Sequence, residues 1–237
     1  MNSIKKTART AGFLYLSYIV FQVLPDIIGS SKLVVYGDAA TTAQNITAFG
    51  GLFRIGFMAD LLAAVLFLLT AWSLYVLLKP ANKNIALLFL LLNLGGVAIQ
   101  CSSDLFMIAS QLLLNDAELL KAFPIDQLQA MAMIFLNIRE NGFMIAQLFY
   151  GAWLFPLGYV VYKSGMFPKI FGIVLMVHCV VWLTNFLMFF FFPDFDAIHY
   201  VSYPIGFISE FGLSLWLVIM GAREFISGDA PASHGPG

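Results

Sequence analysis

Six stretches of this chain are long and apolar enough to cross a bilayer: residues 10–28, 52–78, 84–113, 128–162, 168–192 and 204–222. About 20 apolar residues in helical form span the hydrocarbon, where each backbone amide must find its partner within the protein. That pattern narrows the fold to an all-α, polytopic membrane bundle of six transmembrane helices. The third and fourth stretches exceed the minimum, so they are expected to tilt or to project beyond the bilayer. Composition agrees. Hydrophobic residues make up 61% of the chain and charged residues 11%, whereas a soluble domain carries about a quarter charged. No polar stretch is long enough for a separate soluble domain. A single transmembrane domain is therefore expected over 1–226, followed by a disordered cytoplasmic tail over 227–237, where Gly, Pro and Ser dominate.

The basic residues set an orientation. Lys5, Lys6, Arg9, Lys79, Lys83, Lys163, Lys169 and Arg223 fall on one side of the six spans. Lys32 and Lys121 fall in loops on the other, with Arg54 and Arg139 near helix ends. The positive-inside rule then places both termini in the cytoplasm of a multi-pass membrane protein. The basic N-terminus looks like the start of a signal peptide, but the apolar run that follows is too long for one and lacks an Ala-x-Ala site, so it reads as an uncleaved first span. The cytoplasmic turns, 79–84 and 163–169, are short; the outer connections, 29–51, 114–127 and 193–203, are longer. In the first of these, Asp38 is placed to cap a short helix over Ala39–Phe49, which Gly50-Gly51 would end. Two readings of that helix stay open: a cover over the bundle mouth, or an amphipathic connector.

Several function classes lose support. A net charge of −1 leaves no electrostatic footprint for nucleic acid. Cys101 and Cys179 differ in depth by roughly 12 Å at helical rise, too far for a disulfide, and read as packing thiols. His178, His199 and His234 are far apart, and no His-x-x-x-His pair is present, so neither a metal site nor a cofactor is expected. Ser102 and Ser103 precede Asp104 without a base placed to activate them. These features lean away from an enzyme.

The informative residues are the charges at depth. An ionisable group in hydrocarbon is costly and faces a bundle interior or a wet cavity. At helical rise, Glu210 lies about 20 Å from Arg223, Asp26 about 25 Å from Arg9, Asp60 about 28 Å from Lys79 and Asp104 about 31 Å from Lys83. Arg139 and Glu140 lie about 35 Å from Lys163, and Arg54 sits at the outer rim. All belong to the outer half of the bilayer, with Glu210 deepest, and only His178 is ionisable in the inner half. Polar stripes continue these charges: Tyr15, Tyr18 and Gln22 below Asp26, Gln100 below Asp104, and Gln147 two turns from Glu140. They are expected to converge on one interior. Asn93, Gln100, Gln147 and Asn185 read as interhelical glue rather than ligands. Arg54 and Asp60, six apart, point in different directions, so Arg54 or Arg139 is free to neutralise a carboxylate from another helix. Asp60 is read as a free functional group, so Asp60→Leu is expected to be tolerated by the fold. It would be costly if Asp60 is half of a buried pair.

Further residues carry a resemblance. They are Gly37-Asp38-Ala39 with Asn45-Ile46, Leu52-Phe53-Arg54 with Gly56 and Asp60, and Leu74 to Pro80 with Asn82. To these add Pro156-Leu157-Gly158-Tyr159 with Tyr162 to Gly165 and Pro168, and Glu210 with Leu213, Leu215, Trp216 and Gly221. In combination they resemble an uncharacterised bacterial family of integral membrane proteins, domain of unknown function 4386. The resemblance implies six or seven spans and no activity. Its fourth span often has a histidine where this chain has Arg139, which speaks against histidine-based chemistry at that position.

Acids outnumber bases in the outer layer, so either a carboxylate is kept neutral or a cation binds there. The leading reading is binding, sensing or transport of a small polar, cationic or amphiphilic ligand in an outward-facing cavity. Asp60 and Glu210 would be its carboxylates, and Arg54, Asp104, Arg139, Glu140 and Asp26 further candidates. The partners expected beyond that ligand are membrane lipids, and no oligomeric state is implied. The alternatives are an enzyme acting on a lipid or isoprenoid at the outer leaflet and a structural subunit of a membrane complex.

Overall fold

A computed structural model describes residues 3–192 and 204–223. Those residues are helical, with no strand among them: α1 (Ser3–Ile28), α2 (Ala39–Ala48), α3 (Gly50–Leu78), α4 (Lys83–Asn115), α5 (Ala117–Ala122), α6 (Ile125–Ser164) and α7 (Lys169–Phe191). The last helix, α8, is Pro204–Ile219. Five of these, α1, α3, α4, α6 and α7, are long and apolar enough to cross a membrane. At helical rise α8 reaches about 24 Å, short of a full hydrocarbon thickness by itself. The tail over 227–237, His199 and His234 lie outside the described residues.

The six long helices close on one another. α1 packs on α3, α3 on α4, α4 on α6, α6 on α7, α7 on the first turns of α8, and α8 back on α1. The outside of this ring is apolar. On α3, Ile55, Met58, Leu62, Val65, Leu69 and Trp72 are exposed at helical spacing, while Gly56, Asp60, Ala63, Ala64, Phe67 and Ala71 are buried on the opposite face. A soluble helix reverses that order; an exposed apolar stripe with a small and polar buried one is what lipid outside and protein inside require. The protein is therefore a helical membrane protein. Small residues bring backbones close: a Cβ on Gly158 of α6 would lie 2.7 Å from the Gly172 carbonyl oxygen of α7, so any larger residue there would push the two helices apart.

Two apolar cores fill the ring. One is built on Tyr15, Phe67, Phe89, Trp153 and Leu157, and the other, beneath α2, on Ile46, Phe53, Leu128 and Leu136. Asp38 does cap α2, its carboxylate accepting from the Thr41 amide at 2.9 Å. The carboxylate is held below its usual range by that bond. Gly50 and Gly51 do not end a helix but begin α3, because Phe49 already breaks the path between α2 and α3. The helix buries Thr42, Ala43 and Ile46 against the bundle, packing chiefly on α6 and also on α4 and α3. It thus sits on the end of the ring opposite the Lys79–Lys83 turn.

Helix limits differ most at the start of α1, at the start of α6 and at the end of α8, which stops at Ile219 rather than at 222. α1 begins at Ser3 rather than at residue 10, and α6 covers Ile125–Ser164 rather than 128–162. In both cases polar residues continue a helix past the apolar run, since the run marks hydrocarbon and not the helix itself.

Candidate functional site

The charges at depth form two separate groups, one around Arg139 and one around Glu210. The first lies beneath α2. Arg139 of α6 donates from Nη2 to Asp60 Oδ2 of α3 at 2.7 Å and from Nε to Asp104 Oδ1 of α4 at 3.2 Å. The guanidinium fork thereby ties three helices, using the planar donor set that carboxylates fit best. Its third nitrogen lies 3.9 Å from Glu140 Oε2, and its face rests 5.3 Å from the Phe143 ring. Asp104 is fully buried, and its Oδ2 has no hydrogen-bond partner among the described residues. Glu140 Oε2 accepts from the Tyr36 hydroxyl at 2.9 Å, which fastens the chain leading into α2 to α6. Burial and the nearby Glu140 charge raise the Tyr36 phenol above its usual range. Asp26 is exposed at the end of α1. Arg54 joins none of these acids. Its Nε donates to Gln111 Oε1 at 3.0 Å, and Gln111 donates on to the Gly50 carbonyl at 3.1 Å.

The second group lies on α8, where residues 207–211 form a π turn. The Gly212 amide reaches back to the Phe207 carbonyl, and the extra residue in the turn lets two neighbours, Ser209 and Glu210, both face the other helices. Glu210 Oε2 accepts from Tyr15 of α1 at 2.6 Å, and Oε1 lies 3.4 Å from His178 Nδ1 of α7. Ser209 Oγ lies 2.9 Å from the same Nδ1. Tyr15 and His178 are fully buried. Gly206 allows α8 to approach: a Cβ there would come within 3.2 Å of His178 Nε2. Among the described residues no lysine or arginine lies within ion-pair distance of Glu210.

Serine, histidine and glutamate together invite comparison with a nucleophilic triad, but the geometry is different. A triad sets its acid and its serine on opposite ring nitrogens. Here both share Nδ1, and Nε2 meets no hydrogen-bond partner among the described residues. Nor does any group of three or more His, Cys, Asp or Glu among the described residues form a metal site.

Glu210 opens instead on a cavity of about 400 Å³, its mouth included. Six aromatic side chains line it: Tyr18, Phe67, Phe143, Tyr150, Trp153 and Trp182. Gln22 and Gln147 supply two carboxamides, and among the described residues Glu210 is the one carboxylate in the wall. The rings brace one another. Tyr18 stacks on Phe67 at 4.1 Å between centroids, and Phe67 meets Trp153 edge-on at 4.8 Å and Tyr150 at 5.0 Å. Trp182 donates to Gln147 Oε1 at 3.0 Å, and Tyr150 to Gln100 Oε1 at 2.7 Å. Phe143 touches both groups, lining the cavity and lying under Arg139.

The seven residues singled out from the sequence are thus divided. Asp60, Asp104, Arg139 and Glu140 meet in the first group, Asp26 lies exposed at the end of α1, and Arg54 stands apart at the rim. Glu210 alone lines the cavity. Asp60 is half of a buried pair, so the expectation that Asp60→Leu would be tolerated is corrected: the substitution removes one of two partners of a buried guanidinium. Sequence reasoning missed the roles of Tyr15, His178 and Ser209. Tyr15 and His178 stood in polar stripes, yet nothing in a linear pattern tells which helices become neighbours.

The model of a family described as Domain of unknown function (DUF4386) matches residues 10–221, which includes both groups and the cavity. The chain belongs to this family. A DUF4386 assignment agrees with the resemblance carried by the Arg54, Asp60 and Glu210 segments. An archaeal protein from Archaeoglobus fulgidus, titled "Uncharacterized protein", is 28% identical over 165 residues, covering 68% of this chain and 81% of the relative. No solved structure matches the chain.

Proposed function

We propose that this DUF4386 protein binds, senses or transports a small polar or cationic ligand, and that the ligand occupies the cavity beside Glu210. The observation that supports this is a carboxylate with no lysine or arginine within ion-pair distance among the described residues, beside one histidine and facing an open space. A paired charge in a membrane is explained by its partner; an unpaired one calls for a counter-ion. The residues that line the cavity lie around the middle of the bundle; the positive-inside rule would put the α2 end outward and both termini in the cytoplasm of a bacterial cell. Asp60 leaves the ligand set, because its carboxylate is already engaged by Arg139 at 2.7 Å.

A ligand that binds the folded state raises apparent stability by mass action. A thermal-shift panel of amines, metal ions and amphiphiles on the detergent-solubilised protein is expected to give hits that Glu210→Gln abolishes. Hits that persist unchanged in that variant would remove the cavity from the binding role. The orientation has its own test. With Cys101 and Cys179 replaced by alanine, Asn82→Cys and Asp116→Cys are expected to label from opposite faces of the membrane. Labelling of both from the same face would overturn it.

A further inference from the structure

Among the cavities, charge clusters, buried polar groups and exposed faces of the molecule, the lining of the Glu210 cavity says most about chemistry. Resting on the reading that this cavity holds a cation, we propose the class of ligand: an organic ammonium with alkyl substituents, its nitrogen toward Glu210 and its alkyl shell against the aromatic wall.

Three features of the wall converge on that class. First, the one carboxylate among the described lining residues makes the wall negative, which disfavours anions. Second, oxygen donors are few. A bare magnesium or calcium ion takes six or more oxygens, whereas the cavity offers one carboxylate, two carboxamides and tyrosine hydroxyls. Both Glu210 oxygens already face Tyr15 and His178, and the Gln147 oxygen is held by Trp182. Third, six of the nine lining residues are aromatic. Aromatic faces attract a cation through the ring quadrupole, and quaternary and alkylated ammonium groups are the cations that such cages hold, since they shed water most easily. A neutral apolar molecule would use the rings but leave Glu210 without a counter-ion. A small inorganic ion would use Glu210 and leave the rings without a role. Only a cation with an apolar surface uses both. The size of the space, about 400 Å³ with its mouth, confines it to a small molecule.

The test uses the full chain in detergent. Chlorides of tetramethylammonium, choline and butylammonium are compared with those of ammonium, sodium, potassium and magnesium at constant ionic strength. The readouts are melting temperature and tryptophan fluorescence, to which Trp153 and Trp182 in the wall contribute. The alkylated ammonium ions are expected to stabilise the protein saturably and to change its fluorescence, and the inorganic ions are not. Apparent affinity is expected to fall about tenfold or more in Glu210→Gln, and several-fold in Tyr18→Leu and in Phe143→Leu. Two aromatic variants are used so that poor folding of one leaves the other. Glu118→Gln, in a surface pair with Lys121, is the control and is expected to bind as wild type. If inorganic cations bind in a Glu210-dependent way and alkylated ones do not, the ligand class is wrong while the cation site stands. If alkylated ions bind equally well in both aromatic variants, the cage is wrong. If no cation gives a Glu210-dependent response, the ligand class and the cation site both fall.

Discussion

Arg139 and Glu210 are both charged residues in apolar helices, yet their surroundings are opposite. Arg139 is held by Asp60 and Asp104 and approached by Glu140, so charge is met by charge within a few ångströms. Among the described residues Glu210 has a phenol, an imidazole and, on one side, open space. In the first group, Arg139 meets carboxylates from two other helices, and the product is a knot that fixes α3, α4 and α6 together. In the second, hydrogen bonds fix where the carboxylate points without cancelling its charge. Depth in a membrane therefore does not by itself mark a ligand-binding residue. What distinguishes the two is whether the protein has already supplied the counter-ion.

The largest effect that separates the groups is expected at Arg139. Arg139→Leu leaves Asp60 and the fully buried Asp104 without their cation, and breaking a buried pair from one side costs about 3–5 kcal/mol. The detergent-solubilised variant is expected to melt well below wild type or to fail to fold. A wild-type melting curve would mean that this group is as loosely held as Glu210, and the contrast would be lost.

Asp60→Leu comes next. It takes one acceptor from Arg139 but leaves Asp104, so the expected loss is smaller, about 1–3 kcal/mol. Combining it with Arg139→Leu is expected to cost less than the sum of the two, because the second substitution removes the charge that the first leaves unmatched. Strict additivity in that cycle would show that the 2.7 Å contact contributes nothing.

Glu210→Gln is expected to change stability little, by about 1 kcal/mol or less, since the amide oxygen still accepts from Tyr15. Its effect belongs to ligand response instead. A loss of stability as large as that of Arg139→Leu would place Glu210 among the structural charges and erase the comparison.

Much of this contrast was out of reach of the sequence, for a physical reason. Long apolar runs reveal spans because hydrocarbon imposes one length and one chemistry, and Asp38 reveals the start of α2 because a cap is local. Helical spacing was also enough to separate Arg54 from Asp60, and the structure gives them different partners, Gln111 and Arg139. Which helices meet is another matter. Asp60 and Glu210 looked alike because both are acids at depth. Their difference rests on α6 standing beside α3 and α4 while α8 stands between α1 and α7. The π turn that aims Ser209 and Glu210 inward leaves no local mark either, since the segment Phe207–Phe211 reads as ordinary apolar helix with one acid.

The smallest expected effect concerns how the Arg139 group holds α2 and the chain leading into it. Tyr36 donates to Glu140 at 2.9 Å from a ring that is about half exposed. Tyr36→Phe removes that bond and little else, so it is expected to cost less than about 1 kcal/mol and to leave the melting temperature nearly unchanged. The change should appear locally, as faster hydrogen exchange over residues 34–48 with α4 and α6 unaffected. The bond also predicts a pH dependence. With its proton affinity raised by burial and by Glu140, the anchored phenol stays neutral where a free one begins to ionise, at about pH 10. A raised folded-state value contributes stability that is complete below the ordinary tyrosine range and declines as pH rises through and beyond it. Exchange over 34–48 is therefore expected to stay slow, after correction for its intrinsic pH dependence, up to about pH 10 and to quicken above that. Protection that already fails near neutral pH, or that Tyr36→Phe leaves untouched at every pH, would mean that α2 is held by Ile46 and its apolar neighbours alone, and that the charged knot ends at Glu140.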